Sequence, residues 1–312
     1  MKRFRNLFAF SLACVIAAQP CWGWGSVGHR VVGRVAAALL DDGPRNRVAD
    51  ILGVSHTKNA VADAMAEAAE WPDAVARDEF PQASPWHFID LGVKANAAKD
   101  NPLWSSPDTA FARIVKFFDT VKRRQPDELE PGSDLKFLIH LVGDVHQPLH
   151  SATNQDRGGN CLRMQFVQDD GNLSPITKFH MAWDRAMLED RLGRDDRAIA
   201  RQLVRQWKNL TAAQQAAKRA PDPAGDAQAA TRKWIEEAHQ LAVAGLYGRL
   251  APAPGQFESA EVASDCKNAA PIYKTQVWKL EDTAVDQAAS LMEEQLTKAG
   301  VRLAKLLNLA AH

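Results

Sequence analysis

Apolar residues recur along most of this chain at intervals of three and four positions, the spacing that places them on one face of an α-helix. Strand-like alternation is confined to residues 161–167, which follow the Gly158-Gly159 turn and predict one arm of a short hairpin. The loops at 221–225 and 251–255 are too short to link domains. We therefore expect a mainly α protein, a single compact multi-helix domain with a small β-hairpin insertion. The predicted helices are 27–40, 45–52, 60–76, 109–121, 135–145, 181–192, 199–210, 227–246 and 276–307.

The first residues have the three parts of a secretory signal peptide. A basic start precedes an apolar run at residues 7–18. Cys21 and Gly23 then provide small side chains at the −3 and −1 positions of a cut before Trp24. A membrane anchor is the first alternative, but the run is too short to span a bilayer comfortably. A second alternative, lipidation at Cys14, would need the preceding leucine one place earlier.

We expect residues 1–23 to be this signal peptide and residues 24–312 to form the exported domain. The domain has no other apolar run long enough to span a bilayer, which predicts a periplasmic or secreted protein without stable membrane association. Its two cysteines are Cys161 and Cys266. They form either a disulfide, as an oxidising compartment permits, or two buried thiols, because the sequence does not give their Cα separation.

The charge balance limits how the domain can bind phosphates. The chain is 46% hydrophobic and 24% charged, values of ordinary globular proteins, and it has 38 basic and 38 acidic residues. The first 23 residues hold three of the basic ones and no acid, so the remainder has 35 against 38, a net charge of −3. A protein that bound nucleic acid through Lys and Arg alone should be basic. If this protein handles phosphates, another cation must attract them.

Histidine and aspartate recur together at helical spacing. His140 and Asp144 are four residues apart in a predicted helix, as are His180 and Asp184 in another, so each pair lies on one helix face. Each pair could also be a surface ion pair, but apolar neighbours place both on inward faces. A proline two residues before His150 ends the first helix and lets that ring turn toward the same region. The further candidates are His29, Asp73 and His87.

These five histidines and three aspartates form a set that suits metal ions. Burying them without partners would be very costly, and coordination of a metal removes that cost. Nitrogen and oxygen ligands without thiolate favour Zn²⁺ over Mn²⁺ or Co²⁺. Eight side chains exceed what one or two tetrahedral sites need. The count therefore predicts three metal ions with one shared carboxylate.

The order of these motifs resembles a known enzyme family. Trp-x4-His at the predicted mature terminus is followed by Trp-x-Asp, His-Phe-Ile-Asp, His-x3-Asp-x2-Gln-Pro-x-His and a second His-x3-Asp, unbroken from Trp24 to Asp184. This set is similar to the trinuclear-zinc, single-strand-preferring nucleases/3′-nucleotidases, which share a superfamily and fold with zinc phospholipase C. Gly300-Val-Arg302-Leu-Ala304 also resembles the family's last helix.

The resemblance implies three zinc sites. Three Zn²⁺ and three aspartates leave a formal charge of about +3, which would attract a phosphodiester without Lys or Arg. The implied ligands are Asp73, His87, His140 and Asp144 for the first ion; His29, the bridging Asp144 and the amine and carbonyl of Trp24 for the second; and His150, His180 and Asp184 for the third.

The resemblance also implies a mechanism, metal-assisted hydrolysis that leaves 5′-phosphates. The close zinc pair would lower the pKa of a bridging water toward ~7, and Asp73 would orient the resulting hydroxide. Arg77 would stabilise the transition state, although it lies one place beyond the family's usual spacing and could be a solvated surface residue. Phe88 would stack on a base and Asp90 would accept from the base edge, although Phe88 could also be a core residue. The other histidines, His56, His146, His239 and His312, are interpreted as structural or surface residues.

Single-stranded DNA, RNA and 3′-nucleotides are thus the expected substrates of a monomeric enzyme. Two alternatives remain. Zinc phospholipase C shares the fold and the Gln-Pro-x-His segment, but in that family the first histidine lies much farther from the terminal tryptophan and the last ligand is usually Glu. A non-catalytic zinc-binding protein would have closed sites with four protein ligands. The set of His150, His180 and Asp184 has three.

Overall fold

Helix α1 (Ser26–Ala37) lies at the centre of the molecule, against α3 (Lys58–Trp71) and α13 (Asp282–Ala310). The computed structural model describes residues 24–94, 98–249, 265–269 and 271–310. Every side chain of α1 from residue 31 to residue 37 is buried.

Two glycines allow this close packing. A Cβ on Gly33 would lie 2.5 Å from the carbonyl oxygen of Met65 in α3. A Cβ on Gly300 would lie 2.4 Å from the side chain of Val35. Since real Cβ atoms do not approach other atoms so closely, glycine is required where α1 touches each neighbour. The close approach positions the first turn of α1 relative to the rest of the molecule.

The predicted helical architecture is confirmed, with boundaries shifted by a few residues at most ends. A second layer forms where α5 packs on α6, and α6 packs on α3. Short 3₁₀ segments cover Pro81–His87, Pro102–Ser105, Pro148–His150 and Tyr247–Arg249. The remaining helices are α2 (Asp42–Leu52), α4 (Arg77–Glu79), α5 (Ala110–Arg123), α6 (Ser133–Asp144), α7 (Phe179–Met181), α8 (Met187–Leu192), α9 (Asp196–Lys208), α10 (Ala212–Arg219), α11 (Ala227–Leu241) and α12 (Pro271–Thr275).

Three helical stretches end or continue in π-helical turns. The turn Pro72–Ala76 follows α3, and the turn Ala182–Ala186 joins α7 to α8. A third, Ala242–Leu246, follows α11. The sequence predicted continuous helix through all three places. The π-helix differs by an i→i+5 hydrogen bond, which apolar periodicity does not reveal, and such turns are frequent at functional sites.

The small sheet is larger than the predicted hairpin. Strand β1 (Arg163–Phe166) is the predicted arm, and it pairs antiparallel with β2 (Thr177–Lys178), for which the sequence analysis gave no residues. A third strand, β3 (Val277–Leu280), pairs parallel with β1 on its other edge. The predicted helix 276–307 was therefore wrong over its first residues. Its remainder is part of α13, which begins at Asp282.

A disulfide joins Cys161, just before β1, to Cys266. The pairing left open by the sequence is thus a bond between segments 105 residues apart. No helix in the described ranges is long and apolar enough to cross a membrane. The predicted signal peptide, the loop at 251–255 and His312 lie outside the described residues.

Candidate metal centre

The last turn of α6 carries the centre of the site. His140 and Asp144 are fully buried, and the Nε2 atom of His140 lies 3.0 Å from the Oδ2 atom of Asp144. The i, i+4 spacing of the two residues brings them together, as expected. The Nδ1 atom of His140 is held 2.7 Å from the carbonyl oxygen of Ala69, in the last turns of α3.

His87 and Asp73 approach this pair from the segment after α3. The Nδ1 atom of His87 lies 2.9 Å from the Nε2 atom of His140 and 3.1 Å from the Oδ2 atom of Asp144. Asp73 is in the π-helical turn Pro72–Ala76. Its Oδ1 atom lies 3.8 Å from the Nδ1 atom of His87 and 3.8 Å from the Nε2 atom of His140. Four side chains from three separate segments therefore point at one small volume.

His29 closes the opposite side of Asp144. Its Nε2 atom lies 3.3 Å from the Oδ1 atom of Asp144, and its ring stacks on the ring of His140 with centroids 3.9 Å apart. A Cβ at Gly143 would lie 3.0 Å from the Nδ1 atom of His29. The absence of a side chain at Gly143 thus leaves room for the His29 ring, which extends from α1.

Trp24 is tied to the same turn of α6. The side chain is fully buried, and its indole Nε1 donates a hydrogen bond of 3.0 Å to the carbonyl oxygen of Gly143. A Cβ on Gly28 would lie 2.8 Å from the Cβ of Trp24, so the first turn of α1 packs directly against the Trp24 side chain. The residue predicted to become the mature N-terminus therefore lies beside His29 and Asp144.

A second cluster contains His150, His180 and Asp184. The Nε2 atom of His180 lies 3.1 Å from the Nε2 atom of His150 and 3.1 Å from the Oδ2 atom of Asp184. Asp184 is in the π-helical turn Ala182–Ala186. The two clusters adjoin, because the Nδ1 atom of His150 lies 3.6 Å from the Oδ1 atom of Asp144.

The sequence analysis missed the residue that holds Asp184. Gln147 donates from Nε2 to the Oδ1 atom of Asp184 at 2.6 Å, and its own amide oxygen accepts from the backbone N–H of Leu149 at 2.6 Å. Gln147 is fully buried and lies between Asp144 and His150 in the chain. Its position in the Gln-Pro-x-His segment was the available signal.

Backbone carbonyls fix the proton of three histidines. The Nδ1 atoms of His140, His150 and His180 lie 2.7, 2.7 and 2.5 Å from the carbonyl oxygens of Ala69, His87 and Gly158. A carbonyl oxygen only accepts, so each Nδ1 carries the proton. When each ring is neutral, as metal binding requires, its Nε2 lone pair is directed into the clusters, which is the usual arrangement of metal-binding histidines.

The donor atoms of the site fit a cation. Both ring nitrogens of His29, the Oδ1 atom of Asp144 and the Oδ2 atom of Asp184 are buried without a hydrogen-bond partner among the described residues. Ligand atoms lie within 4.8 Å of one another in three groups: His29, Asp73 and His140; His87, His140 and Asp144; and His150, His180 and Asp184. Buried acceptors that face one another need a positive partner, and a metal ion would supply it.

Burial and the neighbouring charges also shift the pKa values of the site residues. Burial disfavours the charged form of His140, but the carboxylates of Asp144 and Asp73 outweigh it and raise the pKa of His140 to about 9. Burial lowers the pKa of His150 to about 4 against the attraction of Asp144. Burial raises the pKa of Asp184 to about 7, and His180 offsets it only in part. Without a cation, these groups compete for protons in a site that is buried from solvent.

The residues from Trp24 onward match one family throughout. A family model described as S1/P1 Nuclease matches residues 24–312. The chain belongs to the S1/P1 nuclease family. The resemblance seen in the sequence is thereby confirmed, and families of this type are metal-dependent.

Individual family members are more distant. The chain is 29% identical to Nuclease S1 of Aspergillus oryzae over 63% of its own length and 65% of that protein. It is 25% identical to Endonuclease 1 of Arabidopsis thaliana over 59% of its own length and 60% of the relative. It is 27% identical to Nuclease P1 of Penicillium citrinum over 54% of its own length and 60% of that protein. The chain thus spans less than two thirds of the length of these relatives.

The candidate substrate residues of this S1/P1 family member lie next to the histidine clusters. Phe88 follows His87 and is 37% exposed, which does not agree with a core role for its ring. Asp90 is partly buried, and burial together with the charge of Asp156 raises the pKa of Asp90 to about 7. Asp156, which the sequence analysis missed, is fully buried and accepts a hydrogen bond of 2.9 Å from the hydroxyl of Tyr247.

The remaining sequence candidates are Arg77 and three histidines, and the histidines lie outside the clusters. Arg77 begins α4, and its side chain is not among those that the structure describes. The Nδ1 atom of His146 donates to the carbonyl oxygen of Val142, and its Nε2 atom accepts from Arg302 at 2.9 Å. His239 bonds to the carbonyl oxygen of Gly92, and His56 pairs with Asp50 at the surface.

Proposed function

We propose that this protein is a zinc-dependent phosphodiesterase that hydrolyses single-stranded DNA and RNA to 5′-phosphorylated products and also removes phosphate from 3′-nucleotides. The observation that carries the proposal is the junction of two buried His/Asp clusters at Asp144, beside the exposed ring of Phe88. Family membership supports the same activity.

The proposed metal ligands are the residues that form the clusters. Bound zinc would activate water as a nucleophile and stabilise negative charge on the phosphoryl oxygens. Gln147 and the three backbone carbonyls would hold the ligands in place, as outer partners of metal sites do. The three sets are Asp73, His87, His140 and Asp144; Trp24, His29 and Asp144; and His150, His180 and Asp184.

Asp73 is proposed to orient the hydroxide. Its carboxylate lies 3.8 Å from both His87 and His140, farther than Asp144, and is 6% exposed. The longer distances leave one oxygen able to accept a hydrogen bond from the attacking hydroxide while the other remains on the ligand cluster. Arg77 is the proposed partner of the developing phosphoryl charge.

Phe88 and Asp90 are the proposed base pocket. A flat, exposed ring can stack on any base, which gives ~1–3 kcal/mol per base and needs a base that is not paired. The carboxylate of Asp90, two residues on, would accept a hydrogen bond from the base edge. Together they favour single strands over duplexes.

The proposed location is the periplasm or the exterior of the cell. A cut before Trp24 would remove residues 1–23, leave 24–312 as the domain and expose an α-amine beside His29. The bond between Cys161 and Cys266 supports export, because disulfides persist in oxidising compartments. We also propose that the enzyme acts as a monomer.

Substrate tests decide between this activity and its alternatives. The zinc-loaded protein is incubated with denatured DNA, duplex DNA, RNA, 3′-AMP and a lecithin emulsion. We expect hydrolysis of denatured DNA, RNA and 3′-AMP, with 5′-phosphate ends on the products of the two polymers. Hydrolysis of lecithin alone would indicate a phospholipase C, and zinc binding without any hydrolysis would indicate a non-catalytic zinc protein.

A further inference from the structure

A basic groove lies at the far end of α1 from the metal centre. The groove is formed by α1, α2, α3 and α9 and encloses about 540 Å³. Seven of its lining residues are Lys or Arg and one is acidic. The basic groove is notable because the domain as a whole has more acidic than basic residues.

Three of the seven cations that line the groove are neutralised. The buried guanidinium of Arg34 pairs with Asp63 at 2.6 Å and with Asp196 at 2.5 Å. Arg197 also pairs with Asp63, at 2.6 Å. Arg45 pairs with Asp42, three residues earlier in α2.

The other four cations are available to a ligand. Lys58, Arg201, Arg205 and Lys208 are exposed, and within the described part of the chain none has a carboxylate oxygen within 4.0 Å. Unpaired cations that converge on one groove repel one another, so an anion would relieve the repulsion. The groove has an excess of about four positive charges toward any ligand that enters it.

The cations form a row along α9. Arg197, Arg201 and Arg205 are four residues apart, and Lys208 follows three residues later, so all lie on one helix face. At 1.5 Å per residue, the row is about 16 Å long. Such a row fits a linear chain of negative charges better than a single small anion.

We propose that the basic groove binds a stretch of single-stranded nucleic acid outside the metal centre. The inference rests on the proposed function, since the polyanion would be the nuclease's own substrate. Exposed phosphates attract Lys and Arg without regard to sequence. The groove therefore adds affinity for polynucleotides and takes no part in the chemistry.

The distance between the two sites determines which substrates can use both. Lys58, one of the unpaired cations, begins α3, and Asp73 of the metal centre follows the end of that helix 15 residues later, so the two are about 22 Å apart along it. A mononucleotide in the metal centre is too short to span this distance, and only a longer strand has the length to contact both sites.

The test compares two double variants. Arg201→Gln/Arg205→Gln removes two unpaired groove cations, and Lys122→Gln/Arg123→Gln removes two exposed cations at the end of α5. For the groove variant we expect KM on denatured DNA to rise about five- to tenfold, with KM and kcat on 3′-AMP unchanged. The slope of log KM against log salt should become shallower by about 1.4, because each single-strand phosphate contact contributes about 0.7. The α5 variant should match the wild type.

The outcomes separate the groove from the proposed function. If the wild type hydrolyses both substrates and the two double variants behave alike, the groove proposal is overturned and the nuclease function stands. If the wild type hydrolyses neither substrate, the function fails, and binding of a long phosphorothioate oligothymidylate still tests the groove. Weaker binding by the groove variant alone supports the proposal. Unchanged oligonucleotide binding with lost binding to phosphatidylglycerol vesicles would overturn it in favour of a membrane surface.

Discussion

The indole of Trp24 donates a hydrogen bond to the carbonyl oxygen of Gly143, the residue that precedes Asp144. An α-amine binds metal only when deprotonated, and its usual pKa is ~7.7–8.0. With residues attached ahead of Trp24, its nitrogen is an amide without an available lone pair. We therefore expect a protein that keeps two extra residues before Trp24 to bind less zinc and lose most activity.

Proteolytic removal of the extra residues is the control for that prediction. Zinc content by atomic absorption and turnover of denatured DNA should both recover. Equal zinc content and turnover in the extended and trimmed proteins would show that Trp24 only packs against α6.

His140→Ala should abolish activity and lower the zinc content. The ring lies 3.0 Å from Asp144, stacks on His29 and is anchored to Ala69, so its loss would remove a proposed ligand and two supporting contacts. The exposed His56→Gln, which removes a histidine far from the clusters, should change neither. Full activity of the His140 variant would refute the ligand assignment.

Phe88→Ala should raise KM on polynucleotides and leave bound zinc unchanged. The lost stacking corresponds to ~1–3 kcal/mol, or roughly 5- to 150-fold in KM. The matched control is Leu173→Ala, which also removes a large apolar side chain that is about half exposed. Loss of zinc from the Phe88 variant would instead mean that the ring supports His87.

Chelation should lower the melting temperature. Zinc at a thousandfold excess over its Kd stabilises the native state by ~4 kcal/mol for one site, which corresponds to a decrease of about 10 °C on removal. Calorimetry with EDTA, and again after zinc is restored, measures the change and its reversal. A melting temperature that does not change would argue against buried metal ions.

Asp196→Asn should destabilise the protein in a pH-dependent way. Burial alone would raise the pKa of Asp196, but the hydrogen bond and charge of Arg34 outweigh it, so the pKa is lowered. A carboxylate of this kind stabilises the fold above its unfolded pKa of ~3.9, and the stabilisation is lost as the pH falls through the folded value. Urea unfolding should show a loss of about 1–2 kcal/mol at pH 7, and the difference from the wild type should shrink as the pH falls below the unfolded pKa. A difference that stays constant as the pH falls would contradict the ion-pair explanation.

The sequence predicted those parts of the fold that depend on local periodicity. His140 and Asp144 meet because four residues make about one helical turn, so their spacing in the sequence was enough to predict the contact. Helix α10 was missed because it has only eight residues and its apolar face consists of alanines, none of them buried. Strand β3 was missed because its partner, β1, lies more than a hundred residues earlier in the chain.

The candidate site was less predictable where it depends on contacts between distant segments. The pairing of Cys161 with Cys266 required a distance that spacing does not give. Asp156 raises the pKa of Asp90 through its charge, from a separate segment of the chain, and neither residue's neighbours in sequence indicate the other. Gln147 was adjacent to recognised ligands, but its contact with Asp184 depends on how α6 and the π-helical turn Ala182–Ala186 face each other.

Asp73 and Asp184 both lie in π-helical turns, so the length of the chain at these two points matters as much as the residue type. A π-helical turn contains one residue more than the α-helical turn it replaces. Deleting one residue ahead of either aspartate would restore a regular α-helix and rotate the carboxylate by about 100° around the helix axis. Such a deletion would make the backbone more regular while turning the ligand away from its cluster. Each turn therefore shifts the helical register by about 100°, so the aspartate and the side chains after it face a different direction from the one that an uninterrupted α-helix would give them.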